Sequence, residues 1–296
     1  MSTNRVQFNE AVRQKVVSDL FRMSKFAKAW PVWAPDMNAR YEGPYPSAAD
    51  VLELGNHVRD VFLGTSLGER SQSALSSGGS NWEGLVCWYL NLCLLDTRCV
   101  VIKKTSLIPT PIRDALTVMY GSVPSNTESD LVAITFPEET LNETLPKNLR
   151  GYGKIADQIC TEYFDQIEVC VIQCKTNWND AAQKPMLWDI IYSSAGFASV
   201  ASVGRNCWSV KSLKKFAYAF ATVPTNKTEY KSNITPMLRV KALSGGNYWG
   251  KPTEVDVAMN ISEILNKNFL TAITSGEKYW HAQQNENYAK LSIDHP

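Results

Sequence analysis

Three residues in this chain carry side chains whose types and spacing suggest a shared chemical task. Gln173 and Lys175 close the apolar run Gln166-Ile-Glu-Val-Cys-Val-Ile-Gln-Cys-Lys, and Asp130 opens a second run, Asp-Leu-Val-Ala-Ile-Thr-Phe, stopped by Pro137. Both runs read as strands, because β-branched and apolar residues fill them. Strand residues alternate between the two faces of a sheet, so Val169, Val171, Gln173 and Lys175 share one face. Glu168 has the opposite parity and sits at the far end. If the two strands are neighbours, Asp130 meets Gln173 and Lys175 at one point, and strand ends are where α/β proteins bind ligands. A carboxylate, an amide oxygen and an ammonium around one small volume can hold a hard cation, with water completing its shell. Such an arrangement suits hydrolysis of a phosphate ester: the cation offsets charge on the phosphate and activates water, and the lysine orients that water or stabilises developing charge.

The elements that must position these groups follow from hydrophobic periodicity. Over residues 1–30, Phe8, Val12, Val16, Val17, Leu20 and Phe21 recur with helical spacing. Residues 30–46 carry four prolines and are expected to be irregular. A second helix is expected from Ser47, a candidate N-cap, through Val51, Leu54, Val58 and Val61. A serine- and glycine-rich stretch, 71–80, leads into 81–92, which is apolar nearly all round and reads as a buried helix. Strands are expected at 98–104, 115–120, 216–223 and 237–243. Helices are expected near 155–164, over 181–192 (with Asp180 as cap and Pro185 in the first turn) and over 255–273. Residues 138–153 read as a polar linker and the stretch from 275 as a polar tail. Alternation of this kind predicts an α/β fold with a mixed central β-sheet flanked by helices.

Composition excludes little. Of 296 residues, 44% are hydrophobic and 20% charged, as in ordinary soluble domains, and the formal net charge is +1. A near-neutral total still permits local basic patches that bind phosphates. No apolar run reaches the length of a membrane span, and the polar N-terminus does not read as a secretory signal, so a cytoplasmic protein with no membrane partner is expected. The seven cysteines are irregularly spaced, without a CxxC pair or a histidine cluster, and read as reduced thiols rather than as a zinc site. The three histidines, His57, His281 and His295, are scattered and take no assigned role.

The order of motifs resembles the PD-(D/E)XK nuclease superfamily, and within it the type II restriction endonucleases. Ser129-Asp130 precedes one apolar strand, and Val171-Ile172-Gln173-Cys174-Lys175 ends the next. Serine stands where the nominal pattern has proline. Gln173 stands where the family usually has Asp or Glu, and it supplies oxygen without negative charge. The resemblance covers about residues 80–225. It implies a restriction-endonuclease-like core, with 1–79 as an N-terminal helical region and 226–296 as C-terminal elements packed on it, all within one domain. It further implies Mg²⁺ held by Asp130 and Gln173, Lys175 serving the water, and an additional acid on the helix before the first core strand. Glu83 is the candidate for that acid, and Glu128 competes with it. Double-stranded DNA cut at a specific site by a homodimer is the implied function.

Two further groups are candidate DNA contacts. Asn177, Trp178, Asn179 and Asp180, with Gln183 nearby, follow Lys175 directly, and Asn and Gln can pair with adenine. Arg239, Lys241 and Asn247, with Tyr248, Trp249 and Lys251, form a polar and aromatic cluster around two glycines. Plainer readings remain open for each feature. Lys175 and Gln173 could be surface residues at a strand end, Asp130 a strand start, Glu83 a partner of Arg98, 177–180 a capped turn and 239–251 an ordinary strand and loop. At the level of function, a repair or recombination nuclease without site specificity, and a catalytically dead DNA-binding protein on the same fold, are the alternatives.

Overall fold

A computed structural model describes residues 5–40, 48–64, 72–125, 129–146, 151–176 and 200–223, and scattered positions between 233 and 272. The chain opens with β1 (Arg5–Gln7) and four helices: α1 (Phe8–Arg22), α2 (Ser24–Asn38), α3 (Ala48–Gly64) and α4 (Gln72–Cys93). Next come β2 (Cys99–Ile102), α5 (Thr110–Ala115), β3 (Val118–Tyr120), β4 (Val123–Ser125), β5 (Leu131–Thr135), β6 (Thr144–Pro146) and α6 (Tyr152–Glu162). The last strands are β7 (Glu168–Lys175), β8 (Ala201–Val203), β9 (Lys215–Thr222) and β10 (Gly246–Tyr248), followed by a short helix, Glu263–Asn268.

Among the described residues, the central sheet has five strands in the order β10-β9-β7-β5-β2. It is mixed: β5 pairs antiparallel with both β2 and β7, while β7–β9 and β9–β10 are parallel. Every residue of β2, β5 and β7 is buried. That is why these strands read as nearly unbroken apolar runs rather than alternating ones. The fold is therefore α/β, a mixed sheet flanked by helices. Small sheets β1-β6 and β4-β3-β8 lie apart from it. One contiguous hydrophobic cluster runs from Phe8 of α1 to Ala272.

The edge strand β2 would expose unpaired backbone groups, a ready template for association. Two buried side chains close it. Asn91 of α4 donates Nδ2 to Val101 O at 2.7 Å and accepts at Oδ1 from Val101 N at 3.1 Å. Arg13 of α1 donates to Cys99 O at 2.9 Å, Thr97 O at 3.0 Å and Asn91 Oδ1 at 3.3 Å, and pairs with Glu10. The sheet edge thus fixes where α1 and α4 stand.

Several expectations are corrected. Residues 30–38, expected to be irregular, continue α2 despite Pro31 and Pro35. Each internal proline removes a helix hydrogen bond, at about 3 kcal/mol. Both prolines face outward, while Phe26, Ala29, Trp30, Trp33 and Met37 bury the opposite side. Burial of each large side chain contributes about 1.5–3 kcal/mol, enough to offset the breaks. The helix at 81–92 begins earlier, at Gln72, so much of the serine- and glycine-rich stretch is helical. Residues 115–120 divide between the end of α5 and β3, because Pro111 in the first turn starts a helix there. Met237 and Leu238, expected in a strand, have helical backbone, with Leu238 N donating to Ile234 O at 3.0 Å. The linker at 138–153 contributes β6. The helix expected over 181–192, Ser47 and the tail from 275 lie outside the described residues. No helix among the described residues is long and apolar enough to cross a membrane.

Candidate active site

The antiparallel register of β5 and β7 sets Leu131 opposite Ile172, so Asp130, one residue earlier, stands opposite Gln173. The expected meeting of these residues occurs. Asp130 Oδ2 accepts from Lys175 Nζ at 2.7 Å and from the backbone N–H of Cys174 at 2.8 Å. The side chains are nearly enclosed, with relative exposures of 8% for Lys175 and 14% for Asp130. Gln173, opposite Asp130 in register, is buried as well. A backbone donor and an ammonium on the same carboxylate oxygen fix its orientation through charge-assisted hydrogen bonds.

The same row continues across the sheet. Gln173 pairs with Phe220 of β9, and Phe220 with Asn247 of β10. At about 4.8 Å per strand, Asn247 sits roughly 10 Å from Gln173 in register. Lys175 pairs with Thr222, whose buried hydroxyl has no hydrogen-bond partner among the described residues.

Helix α4 crosses this end of the sheet. The Trp82 indole N–H donates to Ala221 O at 2.7 Å, which pins the first described side chains of α4 above β9. Glu83, next in sequence, forms an ion pair with Lys103, just beyond β2. The expected alternative partner, Arg98, lies at the other end of β2, bonded to Phe136 O and Thr271 O. Gly84 lets α4 approach α2, since a Cβ there would meet Phe26 Cδ2 at 2.5 Å. The charges of Asp130, Glu83, Lys175 and Lys103 all reach the Cys174 thiol. Burial pushes that thiol far up, the two carboxylates add to the shift and the two lysines oppose it. Glu83 and Asp130 therefore both act on one buried sulfur, but Glu83 gives its carboxylate to Lys103.

Sequence reasoning missed Lys103, Lys104 and Asp19. Lys104 Nζ donates to Asp19 Oδ2 at 3.2 Å, and Lys15 bonds the other oxygen of the same carboxylate. The signal was present, for Lys103-Lys104 ends an apolar strand just as Lys175 does. Glu168 bonds Thr271 and Lys214 at the far end of the sheet, as its parity requires. Asn177, Trp178, Asn179, Asp180, Arg239, Lys241 and Glu128 lie outside the described residues, and of Asn247 only the backbone is described. The seven cysteines are free thiols, and only Cys207 is exposed.

No family model, curated protein or solved structure matches this chain. The functional reading therefore rests on the site itself. Among the described residues, no group of three or more His, Cys, Asp or Glu could hold a metal ion. Asp130 and Gln173 offer oxygen donors only. Such a pair fits a small hard cation that keeps most of its shell as water and substrate oxygen, and does not fit zinc.

Proposed function

We propose that this chain is a Mg²⁺-dependent endonuclease that hydrolyses phosphodiester bonds of double-stranded DNA, built on a restriction-endonuclease-like core. The single observation that carries the reading is the contact between Asp130 and Lys175, at 2.7 Å, at the ends of two neighbouring strands with Gln173 in register beside them. Residues that are distant in sequence and costly to bury are gathered at the kind of strand end where α/β proteins work.

Asp130 and Gln173 would hold the magnesium. When bound, the ion supplies a Lewis acid that offsets phosphate charge and lowers the pKa of water. The chain's own residues do the rest. The N–H of Cys174 and the ammonium of Lys175 fix Asp130 Oδ2, which leaves Oδ1 outside both of those bonds. Lys175 sets a positive charge beside the place where the phosphate becomes more anionic, the condition for transition-state stabilisation. The buried Gln173, on the face of β7 that Lys175 shares, would contribute an amide oxygen. Glu83 and Lys103 border the site as an ion pair rather than as a second acid beside Asp130.

The test is incubation of the purified chain with a mapped plasmid, with and without Mg²⁺. Discrete fragments that require Mg²⁺ support a site-specific restriction enzyme acting as a homodimer, whose symmetry matches a two-fold site. A smear supports a repair or recombination nuclease. Binding without cutting supports a dead site, and neither binding nor cutting sinks the reading.

A further inference from the structure

A groove of about 550 Å³ opens between α1 and the end of β2. Among the described residues, its lining includes the cations Lys15, Arg22, Lys103 and Lys104 and a single carboxylate, Asp19. Even after Glu83 offsets Lys103, two positive charges remain in excess among these described residues, in a chain whose formal net charge is only +1. The groove is thus a concentration of basic charge on an otherwise balanced molecule.

The cations are held in place. Asp19, with its side chain 9% exposed, takes Lys15 on one oxygen and Lys104 on the other, while Arg22 stands at 3.5 Å. One buried carboxylate therefore spaces three cations along the groove. The charged heads still face solvent: the Arg22 side chain is 73% exposed and that of Lys104 58%. Below them Val16 and Leu20 make an apolar floor. A charged rim of solvent-facing heads over an apolar floor suits a sugar–phosphate chain better than an enclosed small anion.

Its position also fits. β2 runs antiparallel to β5, so the Lys103–Lys104 end of β2 lies beside the Asp130 end of β5, one strand spacing of about 4.8 Å away. Lys103 belongs both to the groove and to the set of charges around Cys174.

We propose that this groove is a phosphate track for duplex DNA, with Lys15, Arg22 and Lys104 gripping backbone phosphates on the β2 side of the scissile bond. The proposal rests on the nuclease reading. It adds that the N-terminal helix α1, outside the stretch that resembles the nuclease core, supplies sequence-independent affinity.

The test is duplex binding by fluorescence anisotropy in EDTA, so that no cleavage is needed, at several salt concentrations. Each phosphate contact contributes about 0.9 to the slope of log K against log salt. Arg22→Ala/Lys104→Ala changes two largely exposed side chains and should leave the fold intact. It is expected to lower the slope by about 2 and to weaken unrelated duplexes equally. Lys154→Ala/Lys211→Ala, two exposed lysines elsewhere, should leave the slope unchanged. If wild-type protein cuts DNA and the Arg22/Lys104 variant keeps the full slope, the track is wrong and the nuclease reading survives. If the slope falls as expected but no DNA is ever cut, the track stands and the nuclease reading falls. If wild-type protein does not bind duplex DNA at all, both are overturned.

Discussion

Replacing Lys175 by Met and Asp130 by Asn, singly and together, separates chemistry from stability. In the folded chain the two groups touch at 2.7 Å with side chains only 8% and 14% exposed. Stripping one partner from a fully buried pair costs about 3–5 kcal/mol, because the survivor is left unmatched. In Lys175→Met the carboxylate keeps the Cys174 N–H at 2.8 Å and some contact with water, so the expected loss is smaller, about 2 kcal/mol. Asp130→Asn leaves an ammonium facing a neutral amide, and a similar loss of about 2 kcal/mol is expected. The double variant restores charge balance and should cost less than the two losses added, with a coupling of about 1–3 kcal/mol. Cleavage should respond on another scale. Each single variant should lose about 10²–10⁴-fold in plasmid cutting with Mg²⁺, and the double should be little worse than the worse single, since both side chains serve one step. A domain typically has about 5–15 kcal/mol of stability, so a loss of about 2 leaves most molecules folded and cannot mimic a thousand-fold loss of activity. Urea unfolding followed by tryptophan fluorescence supplies the stabilities, and gel analysis of plasmid supplies the rates. The reasoning is refuted if either single variant cuts within about tenfold of wild type, or if the losses of the two singles multiply in the double.

Three further outcomes test how the site is supported. Asn91→Leu should destabilise the protein by about 3 kcal/mol, because it strips two backbone partners from Val101 and one bond from Arg13; a loss below about 1 kcal/mol in urea unfolding would mean that the edge clamp is dispensable. Gly84→Ala should cost about 1–3 kcal/mol, since the new methyl would overlap Phe26, which is 1% exposed and packed against Phe21, Trp30 and Trp33; an unchanged melting temperature would contradict the α2–α4 contact. Burial alone would raise the Asp19 carboxyl, but hydrogen bonds and charges from Lys15 and Lys104 outweigh it and hold the group below the ordinary 3.8. A depressed folded pKa means stabilisation that is complete above the ordinary value and lost as pH falls through the folded one. The stability gap between wild type and Asp19→Asn should therefore close on acidification below 3.8, and a gap that widens there would reverse the sign.

Much of the site was legible because its strands are buried on both faces. Burial makes β5 and β7 continuous apolar runs, and against such runs a terminal Asp130, Gln173 or Lys175 stands out. Strand parity then placed Gln173 with Lys175 and sent Glu168 to the far end, where it bonds Thr271. Helix α1 was legible for the same kind of reason, through the spacing of Phe8, Val12, Val16 and Leu20. Helix α2 was not. Local rules count the cost of Pro31 and Pro35, and they cannot count the aromatic burial against α4 that offsets it.

The amino-acid sequence by itself determined the core strands β2, β5, β7 and β9, and for β7 which residues close it and which of them share a face, because apolar runs and alternation are local properties of the chain. Tertiary structure alone decided partners. That Asp130 reaches Lys175, 45 residues away, follows from the register between β5 and β7. That Glu83 takes Lys103 rather than Arg98 follows from which end of β2 lies under α4. That Asp19 gathers Lys15 and Lys104 follows from α1 docking on the strand edge through Arg13. Charge pairing acts over a few ångströms of space, and only the packed fold determines which distant residues come that close.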